Sequence, residues 1–229
     1  MRHVLVSLIL VLASTMASTM ASAQDIGAFG NWSVQAGLTN VMTDAVKSAG
    51  KGGNRATHTK ESLTYAPDPE VSRSAKSALI GLTQKANPAA VGRLKQSLRE
   101  HDIIAMFDRD MRPFDLSSND LADVFAAFII TNWMIANRAD IPRKNAVNAV
   151  RNNIANGMGH AIGRLEDKQR QMIAEILVYQ TMFSIGARTA AVDDPDKMRA
   201  LSDQAQAILE GMGVNARNYQ LDENGLTPL

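Results

Sequence analysis

The sequence contains no cysteine. That excludes disulfides, thiolate metal sites and a lipid anchor carried on a cysteine. Aromatic residues are scarce, at 5% of 229 residues. Ala, Leu, Ile and Met carry the apolar content instead, which favours helices over a β-sandwich. An excess of one charge is also missing. The 24 Lys and Arg stand against 23 Asp and Glu, so the balance gives no support to electrostatic binding of nucleic acid. No Gly-rich phosphate loop follows a strand pattern, and no H-E-x-x-H is present.

The longest apolar stretch after residue 23 runs from Leu121 to Ala136. It would rise about 24 Å as a helix, less than the roughly 30 Å of bilayer hydrocarbon. It is interrupted by Asp123, Thr131 and Asn132. Apolar on nearly all sides, it reads as the buried central helix, with no transmembrane segment in the mature chain. Ser117 or Ser118 is the expected N-cap, and Asp120 and Asp123 place negative charge at the positive end of the helix dipole.

The first 23 residues read as a secretory signal. Arg2 and His3 form a short basic start, Val4 to Leu12 the apolar core, and Ala21-Ser22-Ala23 a small-x-small cleavage site. Cleavage after Ala23 would leave a formally neutral mature chain beginning at Gln24, in the periplasm or the medium. Residues 24–62 read as a flexible N-terminal segment. It holds a short amphipathic stretch at 38–48 and a Gly-rich linker at 49–60. Phe29 and Trp32 are expected to dock on the folded domain.

A single α-helical domain is expected over 63–213, followed by a polar C-terminal tail at 214–229 running over the surface. Three Asp-Pro or Asn-Pro pairs punctuate it: Asp68-Pro69, Asn87-Pro88 and Asp194-Pro195. Each supplies an N-cap and a proline at the first helical position, where the missing N–H is harmless. Asp140-Ile-Pro142 is a looser version. The expected helices are 69–86, 88–106, 117–138, 142–157, 165–190 and 194–211. Apolar residues recur at helical spacing within them, such as Val91, Leu94 and Leu98 or Leu201, Ala205 and Ile208. Glu166 and Arg170 are an expected i,i+4 pair. The fold class is therefore all-α, a bundle of about five or six helices with short connections.

Tyr65-x-Pro67-Asp-Pro69, then Phe107-Asp-Arg109-x-x-x-Pro113-x-Asp115-Leu, then Asn132-Trp133 at the end of the central helix resembles a family of exported bacterial proteins of unknown function. The resemblance covers about residues 60–210. It implies a secreted helical domain and carries over no catalytic residue.

The most charged segment lies just before the central helix, at Asp108-Arg-Asp-Met-Arg-Pro-Phe-Asp115. Arg109 and Arg112, with Asp115, form a candidate binding site able to receive a carboxylate or phosphate. The plainer reading is that these arginines pair with Asp108, Asp110, Asp115 or Asp123 and brace the interhelical turn. A calcium loop is disfavoured, because Arg112 and Pro113 break the alternation begun by Asp108 and Asp110.

Other chemistries find little support. His58, His101 and His160 have no metal-pair spacing. Phe183-Ser184-Ile185-Gly186 is half of G-x-S-x-G, set in a helix. Glu100, Glu166 and Glu175 show no partner acid for glycosidase chemistry. Asn145, Asn148, Asn152 and Asn156 make an amide stripe, read as a solvated face opposite Val147, Val150 and Ile154. The methionines are scattered and fill the core. No catalytic residue, metal or cofactor is expected. The reading that results is an exported, non-catalytic accessory or interaction protein whose partner is an unknown protein or envelope component. A small-ligand or envelope-polymer binding module is the alternative. An envelope hydrolase assembled from dispersed residues is the third possibility.

Overall fold

The computed structural model describes residues 63–162 and 165–229, with side chains for all of these except residues 86 and 158–162. The expected signal, the 24–62 segment with Phe29 and Trp32, and His58 lie outside the described residues. Among the described residues seven α-helices follow one another: α1 Pro69–Ala86, α2 Val91–Glu100, α3 Ile103–Met111, α4 Leu121–Ala136, α5 Lys144–Ile162, α6 Asp167–Ala190 and α7 Pro195–Gly211. A small antiparallel pair, β1 Tyr219–Asp222 and β2 Gly225–Pro228, closes the chain. The expected all-α class is what the chain adopts.

Helix α4 is the hub. Every one of its residues except Met134 is buried, and it packs against α5, α6 and α7. Among the described residues no helix is long and apolar enough to cross a membrane. The hydrophobicity of α4 is therefore spent on protein neighbours. Its N-cap differs from expectation. Asp120, in an extended conformation, accepts from the N–H groups of Ala122 and Asp123. The hydroxyls of Ser117 and Ser118 are committed elsewhere, the first to Asn119 and the second to Asp108.

The expected helix over 88–106 is in fact divided. Pro88–Ala90 is a 3-10 turn leading into α2, which ends at Glu100. His101 is extended, and Asp102 caps a new helix by accepting from Ala105 N–H. An Asp at this position offers the backbone an alternative to a continuing helix. The Asp-Pro starts behave as expected: Asp68 caps α1 and Asp194 caps α7. At α6 a capping box joins Glu166 and Gln169. Arg170 turns to Asp167 and to the Leu165 carbonyl, so Glu166 is not its partner.

The residues expected to form a polar surface tail are ordered against the bundle. Val214, Ala216 and Leu226 are buried. The Trp133 indole N–H donates to the Tyr219 carbonyl at 2.9 Å, and Asn137 donates to the Ala216 carbonyl at 3.1 Å. Strand β2 lies on α5, where Asn153 donates to the Asn224 carbonyl at 3.1 Å. The chain end thus covers one flank of the central helix.

Candidate functional site at the start of the central helix

The charged segment preceding α4 is the last turn of α3 followed by a 3-10 turn at Arg112–Phe114. Asp115 then adopts a left-handed conformation, φ 58°, which an Asp tolerates better than most residues. That reversal turns the chain toward α4.

Four acids in this region have defined partners. Asp108 accepts from Ser118 N–H at 2.7 Å and from Ser118 Oγ at 3.0 Å. Asp115 meets Lys144 Nζ at 2.5 Å. Arg151 of α5 reaches two acids at once, with Nε 2.7 Å from Asp123 and Nη2 2.9 Å from Asp120. Asp123 also accepts from Ser117 N–H at 3.0 Å.

Burial pushes the Asp123 carboxyl up, opposed by the Arg151 hydrogen bond and reinforced by the Asp120 charge. Burial works against the Arg151 charge too, but its bond to Asp123 and the charge of Asp120 outweigh it, and the guanidinium is pushed upward. The two partners therefore point opposite ways. The short contacts to both carboxylates favour a charged clamp, one that holds α5 to the first turn of α4.

Of the candidate site residues, Arg109 directs Nε to the adjacent Asp110 at 3.0 Å. Its Nη2 is enclosed with no hydrogen-bond partner among the described residues. Arg112 is exposed and makes no ion pair among the described residues. Asp115 is exposed apart from Lys144. Arg109 in the last turn of α3, Arg112 and Asp115 are thus close in sequence but do not converge: Arg109 turns to Asp110, Asp115 to Lys144, and Arg112 pairs with neither.

Behind this corner lies a buried polar seam absent from the sequence-based expectations. Tyr65 donates to the Ser118 carbonyl at 2.7 Å. Thr64 pairs with Asp120 in an isolated bridge, which brings the chain before α1 onto the start of α4. Glu175 on α6 is buried and accepts from Ser72 Oγ at 2.6 Å and from Gln171 Nε2 at 2.7 Å. The Tyr179 hydroxyl is 3.5 Å from its other oxygen. Gln171 also receives the Asp68 N–H at 2.8 Å, locking the start of α1 to α6. Burial raises both tyrosine hydroxyls well above the usual range, and the Glu175 charge adds to it in each case. The signal was present in part, since Gln171, Glu175 and Tyr179 are spaced at i, i+4 and i+8 on one helix face.

This arrangement is suited to holding helices together. Glu175 has hydroxyl and amide donors around it. Ser184 is buried within α6 and lacks the strand–turn–helix setting of a nucleophile. His101 closes α2 through its backbone, and the side chain of His160 is outside the description. Among the described residues no three His, Asp or Glu side chains gather as metal ligands. Asn145, Asn152 and Asn156 are exposed opposite the buried Val147, Val150 and Ile154.

Fold and site together define a helical-bundle protein, braced by polar clamps around a central apolar helix. The chain belongs to a family of unknown function, DUF6683, whose model matches residues 2–228. Neither a curated protein nor a solved structure matches it.

Proposed function

We propose that this is an exported, non-catalytic helical accessory protein of the bacterial envelope, working through contact with a partner protein or envelope component. The signal-like first 23 residues support export. The observation that carries the interaction reading is Arg112. Its neighbours Asp108, Asp110, Asp115, Asp120 and Asp123 all have other partners, and it stands exposed at the corner leading into the most buried helix. A guanidinium in that position is ready for a carboxylate or phosphate of a partner.

Arg109, Arg112 and Asp115 also fit the second reading, a small-ligand or envelope-polymer site. The exposure of Arg112 beside the Lys144–Asp115 pair favours it.

The test has two arms. Cell fractionation with N-terminal sequencing should find the protein outside the cytoplasm, beginning at Gln24; a cytoplasmic protein beginning at Met1 would refute export. Purification from the envelope should then recover a bound component that is lost with Arg112→Glu and kept with Arg199→Glu. A wild-type protein that emerges alone, or equal losses in both variants, would refute a role for this corner.

A further inference from the structure

The near neutrality of the whole chain hides a division. From Lys47 to Arg99 there are ten basic residues against Glu61, Asp68 and Glu70. From Glu100 to the end, thirteen basic residues face eighteen acids. Such asymmetry between parts of a chain is a signature of contact with an anionic surface.

The structure places much of the described part of the basic portion on two neighbouring helices of the bundle. Helices α1 and α2 are in contact, and their apolar positions Val71, Ala75 and Leu79 on α1 and Val91, Leu94 and Leu98 on α2 are buried. Helix α1 rests on α6. Between Arg73 and Arg99 there is no acid at all. Lys85, Lys95 and Arg99 are exposed and make no ion pair among the described residues. Lys95 and Arg99 stand at i,i+4, so their charges project from one strip of α2. Gly92, one turn before Lys95, has open space where a side chain would be. Helix α7, with Asp196, Asp203 and Glu210 against Lys197 and Arg199, packs chiefly on α4.

We propose that the outer face of α1 and α2 is a docking surface for the anionic headgroups of a phospholipid bilayer. The strip contains lysine and arginine without an inserting aromatic, so binding is peripheral and governed by charge. Each basic side chain brought to an anionic bilayer adds about fivefold to partitioning at moderate salt, and the effect decays over about 8 Å at physiological ionic strength. This deepens the envelope reading and takes its setting from it.

The test uses protein purified from the cells that make it, sedimented with vesicles of phosphatidylcholine alone or with phosphatidylglycerol at about one part in three. Binding is expected only to the anionic vesicles at low salt and is expected to vanish by roughly 0.3–0.5 M salt. Lys95→Gln with Arg99→Gln should weaken it roughly thirtyfold. The matched pair Lys197→Gln with Arg199→Gln on α7, with the same change in net charge, should leave it within about twofold. No binding to anionic vesicles, equal binding to neutral ones, or equal losses in the two double variants would overturn the proposal. So would retention on heparin without vesicle binding, which would assign the strip to a soluble polyanion. Vesicle binding is read on purified protein, so its failure leaves the fractionation result standing, and a cytoplasmic location leaves the vesicle result standing.

Discussion

Ser72 Oγ lies 2.6 Å from Glu175 Oε1, across the contact between α1 and α6. The carboxylate is buried and its other donors are Gln171 and the more distant Tyr179. Removing one donor from a buried charged acceptor leaves part of its desolvation uncompensated. Ser72→Ala is expected to cost about 1.5–3 kcal/mol, read as a lower denaturant midpoint with an unchanged slope. In a Glu175→Leu background the same change should cost less than about 0.5 kcal/mol, because the acceptor is gone. Additive losses would mean that the serine acts through packing alone.

Arg151 holds Asp120 and Asp123 together, and through them holds α5 to the first turn of α4. Arg151→Met keeps much of the aliphatic stem but leaves two adjacent carboxylates without their cation. The expected loss is about 2–4 kcal/mol, toward the lower part of the range for buried pairs because the arginine is 26% exposed. Restoring a positive charge with Arg151→Lys should recover only part of it, since a single ammonium cannot present the fork that meets both acids. Full recovery with lysine would show that charge matters here and geometry does not.

These two contacts also mark where sequence reasoning stopped. The caps Asp68 and Asp194 and the buried run of α4 were legible, because each depends on residues within a turn or two of one another. Asp102 restarting a helix was not, since its side chain had to be seen to win over helix continuation. Glu175 was visible as an acid among apolar neighbours, but Ser72 lies 103 residues earlier and only the docking of α1 on α6 joins them. The C-terminal hairpin was missed although Asn224-Gly225 is a turn signal, because its four-residue strands carry too little alternation to compete with the helical pattern. That Arg109 pairs with Asp110 while Arg112 pairs with none of the nearby acids could not be assigned from a segment in which every acid was equally near in sequence.

Asp123 provides a pH prediction with a definite sign. Burial raises its carboxyl, with the Asp120 charge adding and Arg151 and the Ser117 N–H opposing. A carboxyl raised in the folded chain takes up its proton there more readily than in the unfolded chain. Its contribution therefore favours the fold below the ordinary Asp range and is lost as pH rises through the raised value. Asp68 and Asp194 run the other way. The Glu70 N–H for the first, and the Lys197 side chain for the second, hold the carboxyls below the usual range. Their contributions are present at neutral pH and disappear as pH falls. Comparison with Asp123→Asn isolates the first effect: wild-type stability minus variant stability should fall as pH rises above the ordinary Asp range. A difference that rises instead would mean that the bonds from Arg151 outweigh burial.

The C-terminal hairpin rests on Gly225. Its φ of +102° is one that side-chain-bearing residues rarely adopt, and a Cβ there would meet Asn153 Nδ2 at 2.9 Å and the Val150 backbone nitrogen at 3.4 Å. The Asn153 side chain must shift to admit it, while the Val150 backbone of α5 stands at the near limit of ordinary contact. Gly225→Ala therefore combines backbone strain with a close approach, and is expected to cost about 1–3 kcal/mol. The loss should be local. Trp133 donates its indole N–H to Tyr219, so a hairpin that lifts from α5 also releases that bond. The Trp133 indole proton should move toward its solvent position in an NMR spectrum and exchange faster, while amides in the middle of α4 and α6 remain protected. Asn153→Ala, which removes the nearest atom and the bond to the Asn224 carbonyl, should relieve part of the Gly225→Ala defect. If it relieves none, the φ value and the Val150 backbone set the requirement for glycine, and Asn153 does not. If Gly225→Ala instead unfolds α4 and α6 together, the hairpin is an integral part of the bundle's cooperative unit.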